Sequence, residues 1–114
     1  MKNLMKGLAV VALAAVLSAC GKQGNEYVGN WEATKYKNRT VEIERNGDNF
    51  MIKTTEPSMF KRGEVDAETR PAVYKDGMLE ISTGFGTAKV SHVKDTDTLL
   101  MPTMGGSMEF RRVR

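Results

Sequence analysis

Apolar and polar residues alternate along most of the chain after residue 27, with the two-residue period of half-buried β-strands. Val41 and Ile43 alternate with Glu42 and Glu44, and Asn46-Gly47 follows. Both residue types tolerate positive φ, so that pair predicts a hairpin turn. The returning strand over 49–54 sets Phe50 and Ile52 on one face. Residues 71–75, the turn pair Asp76-Gly77 and residues 78–82 repeat the arrangement. Gly84-Phe85-Gly86 then breaks the chain, Ala88, Val90 and His92 alternate with Lys89 and Ser91, and Asp95-Thr96-Asp97 turns it into a strand over 98–101. A last strand over 108–113 follows Gly105-Gly106. Only 55–63 breaks the pattern. There Thr55 suits a cap, Pro57 an early helical position and Gly63 a stop, so a helical turn and an exposed loop are equally compatible.

Turn signals every eight to twelve residues between short strands predict an all-β fold. The expected form is a small antiparallel β-meander of six to eight strands, closing into a barrel or sandwich over residues 27–114. Its predicted core is Trp31, Val41, Ile43, Phe50, Ile52, Val73, Leu79, Ile81, Val90, Leu99 and Phe110. A body this small holds one modest core and no deep catalytic cleft.

The first residues are organised differently. Lys2 and Lys6 precede an uninterrupted apolar run of ten residues, 8–17. Such a run spans roughly 15 Å as a helix, about half a bilayer core, too short for a permanent transmembrane helix but right for a secretory leader. It ends in Leu17-Ser18-Ala19-Cys20, which resembles the lipobox of bacterial lipoproteins. The resemblance implies removal of residues 1–19, diacylglyceryl modification of the Cys20 thiol and acylation of the new N-terminus. Residues 20–26, with two glycines and no apolar side chain beyond the cysteine, then read as a lipidated flexible tether. Gly21 stands where the family uses aspartate for inner-membrane retention, so the resemblance implies an outer-membrane lipoprotein facing the periplasm.

Loss of the leader changes the charge picture. The whole chain carries 17 basic and 14 acidic residues, but the leader holds two lysines and no acid, leaving 15 against 14. That balance argues against nucleic acid as a partner. With one cysteine and one histidine, the chain forms no internal disulfide and supplies no Cys/His zinc quartet. No cofactor is expected beyond the acyl chains on Cys20.

Tyr27-Val28-Gly29-Asn30-Trp31 resembles the Gly-x-Trp opening of lipocalins and shorter lipocalin-like bacterial domains. In that family the tryptophan closes the barrel floor against an arginine of the last strand, a place Arg111 or Arg112 could fill by a cation–π contact. A barrel this small is expected to be filled by its own side chains.

Catalytic signatures are missing: His92 lies in an alternating strand, and no nucleophile elbow or phosphate-binding glycine loop occurs. Glu42/Glu44 read as a solvated strand face. Asp95/Asp97 read as turn residues, with too few following oxygen ligands for a calcium loop. The chain is therefore predicted to be a non-enzymatic binding module for a protein or envelope component. Its candidate contact residues are Met59, Phe60, Lys61, Arg62 and Phe85. A competing reading is a periplasmic Cu(I) carrier using Met101, Met104, Met108 and His92, since thioethers are soft ligands. A lipocalin-like small-ligand carrier comes third.

Overall fold

The computed structural model describes residues 23–114. The leader, the lipobox and Cys20 lie outside the described residues. A short 3₁₀ turn, Asn25–Tyr27, precedes eight strands: β1 Gly29–Ala33, β2 Thr40–Asn46, β3 Asn49–Pro57, β4 Val65–Lys75, β5 Met78–Thr83, β6 Gly86–Val93, β7 Thr98–Thr103 and β8 Gly106–Arg112. Each pairs antiparallel with its sequence neighbour. β8 returns to β1 through Trp31–Arg112, Glu32–Arg111 and Ala33–Phe110, so the meander closes into a barrel.

Residues opposite one another in register share a face, and side chains alternate between faces. Val41, Ile43, Phe50, Ile52, Leu79, Val90, Leu99 and Phe110 accordingly turn inward and are buried with Trp31 and Ile81. Val73 does not join them and is 51% exposed. Its hairpin register sets it opposite Glu80, on the outer face, while Ala72 takes the inward place. Tyr27 completes the core from the 3₁₀ turn.

Two local expectations are corrected. The β2–β3 turn is Gly47-Asp48, closed by the pair Asn46–Asn49, one residue later than the Asn46-Gly47 pair suggested. Residues 55–63 form no helical turn. β3 runs on to Pro57, Ser58 Oγ accepts from the Phe60 and Lys61 N–H groups, and β4 already begins at Val65. The first half of β4 escapes the hydrophobic pattern because the positions opposite Glu56, Thr54 and Ile52 carry Asp66, Glu68 and Arg70, all exposed.

Two prolines shape the barrel wall. A two-residue hairpin is flanked by a hydrogen-bonded pair, so bonding direction alternates along each strand from that pair. Counting from Lys75–Met78, residues 75, 73 and 71 of β4 turn their backbone polar groups toward β5. Pairing stops at Val73–Glu80, and residue 71 is a proline without an N–H. On the other side, counting from Thr103–Gly106 turns residues 98, 100 and 102 of β7 toward β6. Pairing stops at Ser91–Leu100, and residue 102 is again proline. The outer half of the β5–β6 hairpin is thus unpaired on both flanks.

An up-and-down barrel puts alternate connections at opposite ends. One end gathers the 3₁₀ turn and the turns 47–48, 76–77 and 94–97. The other gathers loops 34–39, 58–64, 84–85 and 104–105.

Candidate functional site

The first end is sealed from its own residues. Arg112 is the inward-facing arginine of β8, and its guanidinium carbon lies 4.2 Å from the Trp31 ring centroid. It donates to Val28 O at 2.7 Å, to Glu26 O at 2.8 Å and to Asp97 Oδ2 at 2.8 Å. Arg111, one residue earlier, faces outward and pairs with Glu32. Gly29 makes room for this arrangement: with φ +143°, a Cβ there would fall 2.6 Å from Arg112 Nη1. Trp31 Nε1 donates to Tyr27 O at 3.0 Å, and Tyr27 OH donates to Gly77 O at 2.7 Å.

Asp97 links this floor to β6. His92 Nε2 meets Asp97 Oδ1 at 2.8 Å, and its imidazole stands edge-on to Tyr27 and Trp31. The Arg112 hydrogen bond, with that of His92 behind it, holds the Asp97 carboxyl well below the usual carboxylate range. Burial, aided by Glu26, pushes the Tyr27 phenol up to about 12 and keeps it a donor. Every buried side-chain N or O among the described residues has a partner. This constellation is a structural lock. His92, a candidate copper ligand in the sequence, holds Asp97 here.

The structured chain also begins earlier than the tether reading of 20–26 places it. Arg45 donates to Gln23 O at 2.9 Å. Gly24 is buried against Phe50, where a Cβ would lie 2.7 Å from Cζ.

The opposite end is open. Each of its four loops carries a large apolar residue into solvent. Tyr36 is 55% exposed, Met59 and Phe60 are 91% and 93% exposed, and Phe85 and Met104 stand fully in water. Met59, Phe60, Lys61, Arg62 and Phe85, the candidate contact residues, are thus brought to one rim from two separate loops. Tyr36, Lys35 and Lys37 share that rim and were not singled out by local composition, and Met104, a candidate copper ligand in the sequence, shares it too. The signal that groups them is topological: in a meander, every second loop falls at the same end.

The loops of the rim carry Lys35, Lys37, Arg39, Lys61, Arg62 and Glu64, and the strand ends adjoining loop 58–64 expose Glu56, Asp66 and Glu68. The turns at the closed end carry Asp48, Asp76, Asp95 and Asp97 against Lys94. A recess of about 560 Å³ lies along the 34–39 loop, bordered by Lys35, Lys37, Arg39 and Arg111. Arg39 is held by Glu56 at 2.9 Å and lies over the Tyr36 ring.

Met101 and Met108 are an opposed, inward-facing pair near the barrel mouth, whereas Met104 points into solvent at the hairpin tip. The structure does not gather the three thioethers with His92. The recess entering the mouth between Val41, Thr54, Met101, Met108 and Phe110 measures about 170 Å³. Small-molecule pockets are typically roughly 300–1,000 Å³.

No protein-family model matches the chain, and no curated protein or solved structure matches it.

Proposed function

We propose that this chain is a lipid-anchored envelope lipoprotein whose barrel is a non-enzymatic binding module, engaging its partner with the open rim. The observation that carries the reading is the asymmetry of the two ends. One end spends Trp31, Arg112, Asp97, His92 and Tyr27 on sealing the barrel. The other exposes an apolar side chain on each loop. Scattered single exposed apolar residues are ordinary, but four loops of one rim each carrying one is a pattern expected of an interaction surface.

The anchor reading rests on the residues of the lipobox and is compatible with the fold. Gln23, three positions after Cys20, lies at the closed end, opposite the rim. The outer membrane, facing the periplasm, is the assigned location because of Gly21. The small recess at the mouth and the dispersed thioethers favour the rim over a ligand carrier or a Cu(I) carrier.

The test has two arms. Radiolabelled palmitate should enter the wild-type protein in cells and not Cys20→Ala; equal labelling would remove the anchor. A photo-crosslinking residue at position 60 or 85 should give adducts in cells, while one at position 48 or 76 gives none. Adducts confined to the closed end would remove the rim.

A further inference from the structure

We infer that Met59 and Met104 are oxidation sites whose conversion to sulfoxide releases the rim's partner, a regulation that rests on the rim being the binding face. Six methionines fall among the described residues. Met51, Met78, Met101 and Met108 lie on strands and are half-buried. Met59 and Met104 are 91% and 108% exposed, and each sits on a loop of the open rim. Gap-filling accounts for the four strand methionines. It does not account for two thioethers standing in water on the face that offers contacts.

Their exposure is built into the loops. Ser58 N–H donates to Glu64 O at 2.9 Å, Glu64 N–H donates to Lys61 O at 3.1 Å, and Ser58 Oγ accepts from Phe60 and Lys61 N–H. Loop 58–64 is thus braced from within, with Met59 and Phe60 held outside it. Met104 is the first residue of the two-residue turn closed by Thr103–Gly106, at the tip of the β7–β8 hairpin.

A thioether sulfur is a nucleophile toward a two-electron oxidant such as hydrogen peroxide. Its lone pair attacks one peroxide oxygen, the O–O bond breaks and an S–O bond forms. The departing hydroxide takes the proton of the transferred oxygen, leaving one sulfoxide and one water. Sulfur gives up two electrons and the peroxide takes them. The oxidant must reach the sulfur, and that singles out Met59 and Met104.

The product is a poor contact. A flexible apolar side chain becomes polar and chiral, with a strong acceptor oxygen. Pressed against an apolar partner surface, that oxygen loses its water and finds no donor. The barrel is spared, because neither residue belongs to the core or to the side chains packed on it. Met101 and Met108 do pack against the core, so oxidation there would loosen the mouth instead. Sulfoxide is enzymatically reducible, which makes the release reversible.

The experiment uses residues 21–114, which contain the closed barrel and lack the Cys20 thiol, itself a target of peroxide. Under limiting hydrogen peroxide, peptide mass spectrometry should find an added oxygen on Met59 and Met104 at least tenfold sooner than on Met101 or Met108. The urea midpoint should not move at that stage. A photo-crosslinking residue at position 85 should form adducts in solubilised envelope, and their yield should fall about tenfold after the treatment. Methionine sulfoxide reductases of both epimer specificities should restore it. In Met59→Leu with Met104→Leu, the variant's own yield, whatever its level, should be the same before and after peroxide. Oxidation that reaches Met101 or Met108 as fast, a yield indifferent to oxidised Met59 and Met104, or a leucine variant still sensitive to peroxide overturns the inference and leaves the rim reading standing. If position 85 gives no adducts even before peroxide, the two readings fall together.

Discussion

Arg112 covers Trp31 at 4.2 Å and occupies the space that a side chain on Gly29 would need. The first and last strands are thereby joined by one guanidinium that also satisfies the carbonyls of Val28 and Glu26. A glycine and a tryptophan of the first strand thus depend on an arginine of the last, Arg112.

Gly29→Ala should therefore destabilise the barrel strongly. The new Cβ meets Arg112 Nη1 at 2.6 Å and must adopt φ +143°, which L side chains rarely do. A loss of about 2–3 kcal/mol in urea unfolding is expected. Arg112→Lys should also destabilise, because a lysine cannot reproduce the stacked, forked geometry. Arg111→Lys, on the exposed outer face, should stay within about 0.5 kcal/mol of wild type.

The Asp97 lock predicts a pH signature with a definite sign. Arg112 on β8, His92 on β6 and Arg114 beyond β8 face its carboxylate, and the folded-state pKa is lowered. A lowered carboxylate contributes stability that is fully present above the unfolded-state value of about 4. That contribution is lost as pH falls below it. The stability gap between wild type and Asp97→Asn should shrink as pH falls from about 4 toward pH 2. A gap that holds or grows between pH 4 and pH 2 would contradict the lock.

The proline seams make a prediction at single-amide resolution. The N–H groups of Ser82, Thr87 and Lys89 point from the β5–β6 hairpin toward the unpaired flanks, whereas those of Ile81 and Ala88 point into the hairpin. Ser82, Thr87 and Lys89 should exchange with solvent much faster than Ile81 and Ala88. Pro71→Thr supplies an N–H that can donate to Ser82 O, and closing that pair should bring Ser82 N–H onto residue 71 O and slow its exchange. Uniform protection across residues 81–89 would mean that the seams are closed.

The barrel was largely legible because its inward positions are apolar and regularly spaced, so ten of the eleven expected core residues are buried. Val73 is the exception, because the Asp76-Gly77 hairpin sets it opposite Glu80 on the outer face. The first half of β4 was illegible because exposed Asp66, Glu68 and Arg70 interrupt the apolar spacing. Tyr27-Val28-Gly29-Asn30-Trp31 pointed to the floor, and the register of β8 decided between Arg111 and Arg112. Asp97 looked like a turn residue. Its tie to His92 and Arg112 needs three strands in place and leaves no local trace.

The binding account requires Phe60, Phe85 and Met104 to be dispensable for folding. Each is nearly or fully exposed, so Phe60→Ser, Phe85→Ser and Met104→Ser should leave unfolding free energies within about 0.5 kcal/mol of wild type. A large loss from any of them would show that it packs into the fold and does not serve a partner.

The most direct test is an amide NMR titration of residues 21–114 with solubilised envelope extract. Perturbation confined to loops 34–39, 58–64, 84–85 and 104–105 is the expected result. Perturbation centred on turns 47–48, 76–77 and 94–97, or no response in any loop, would contradict it.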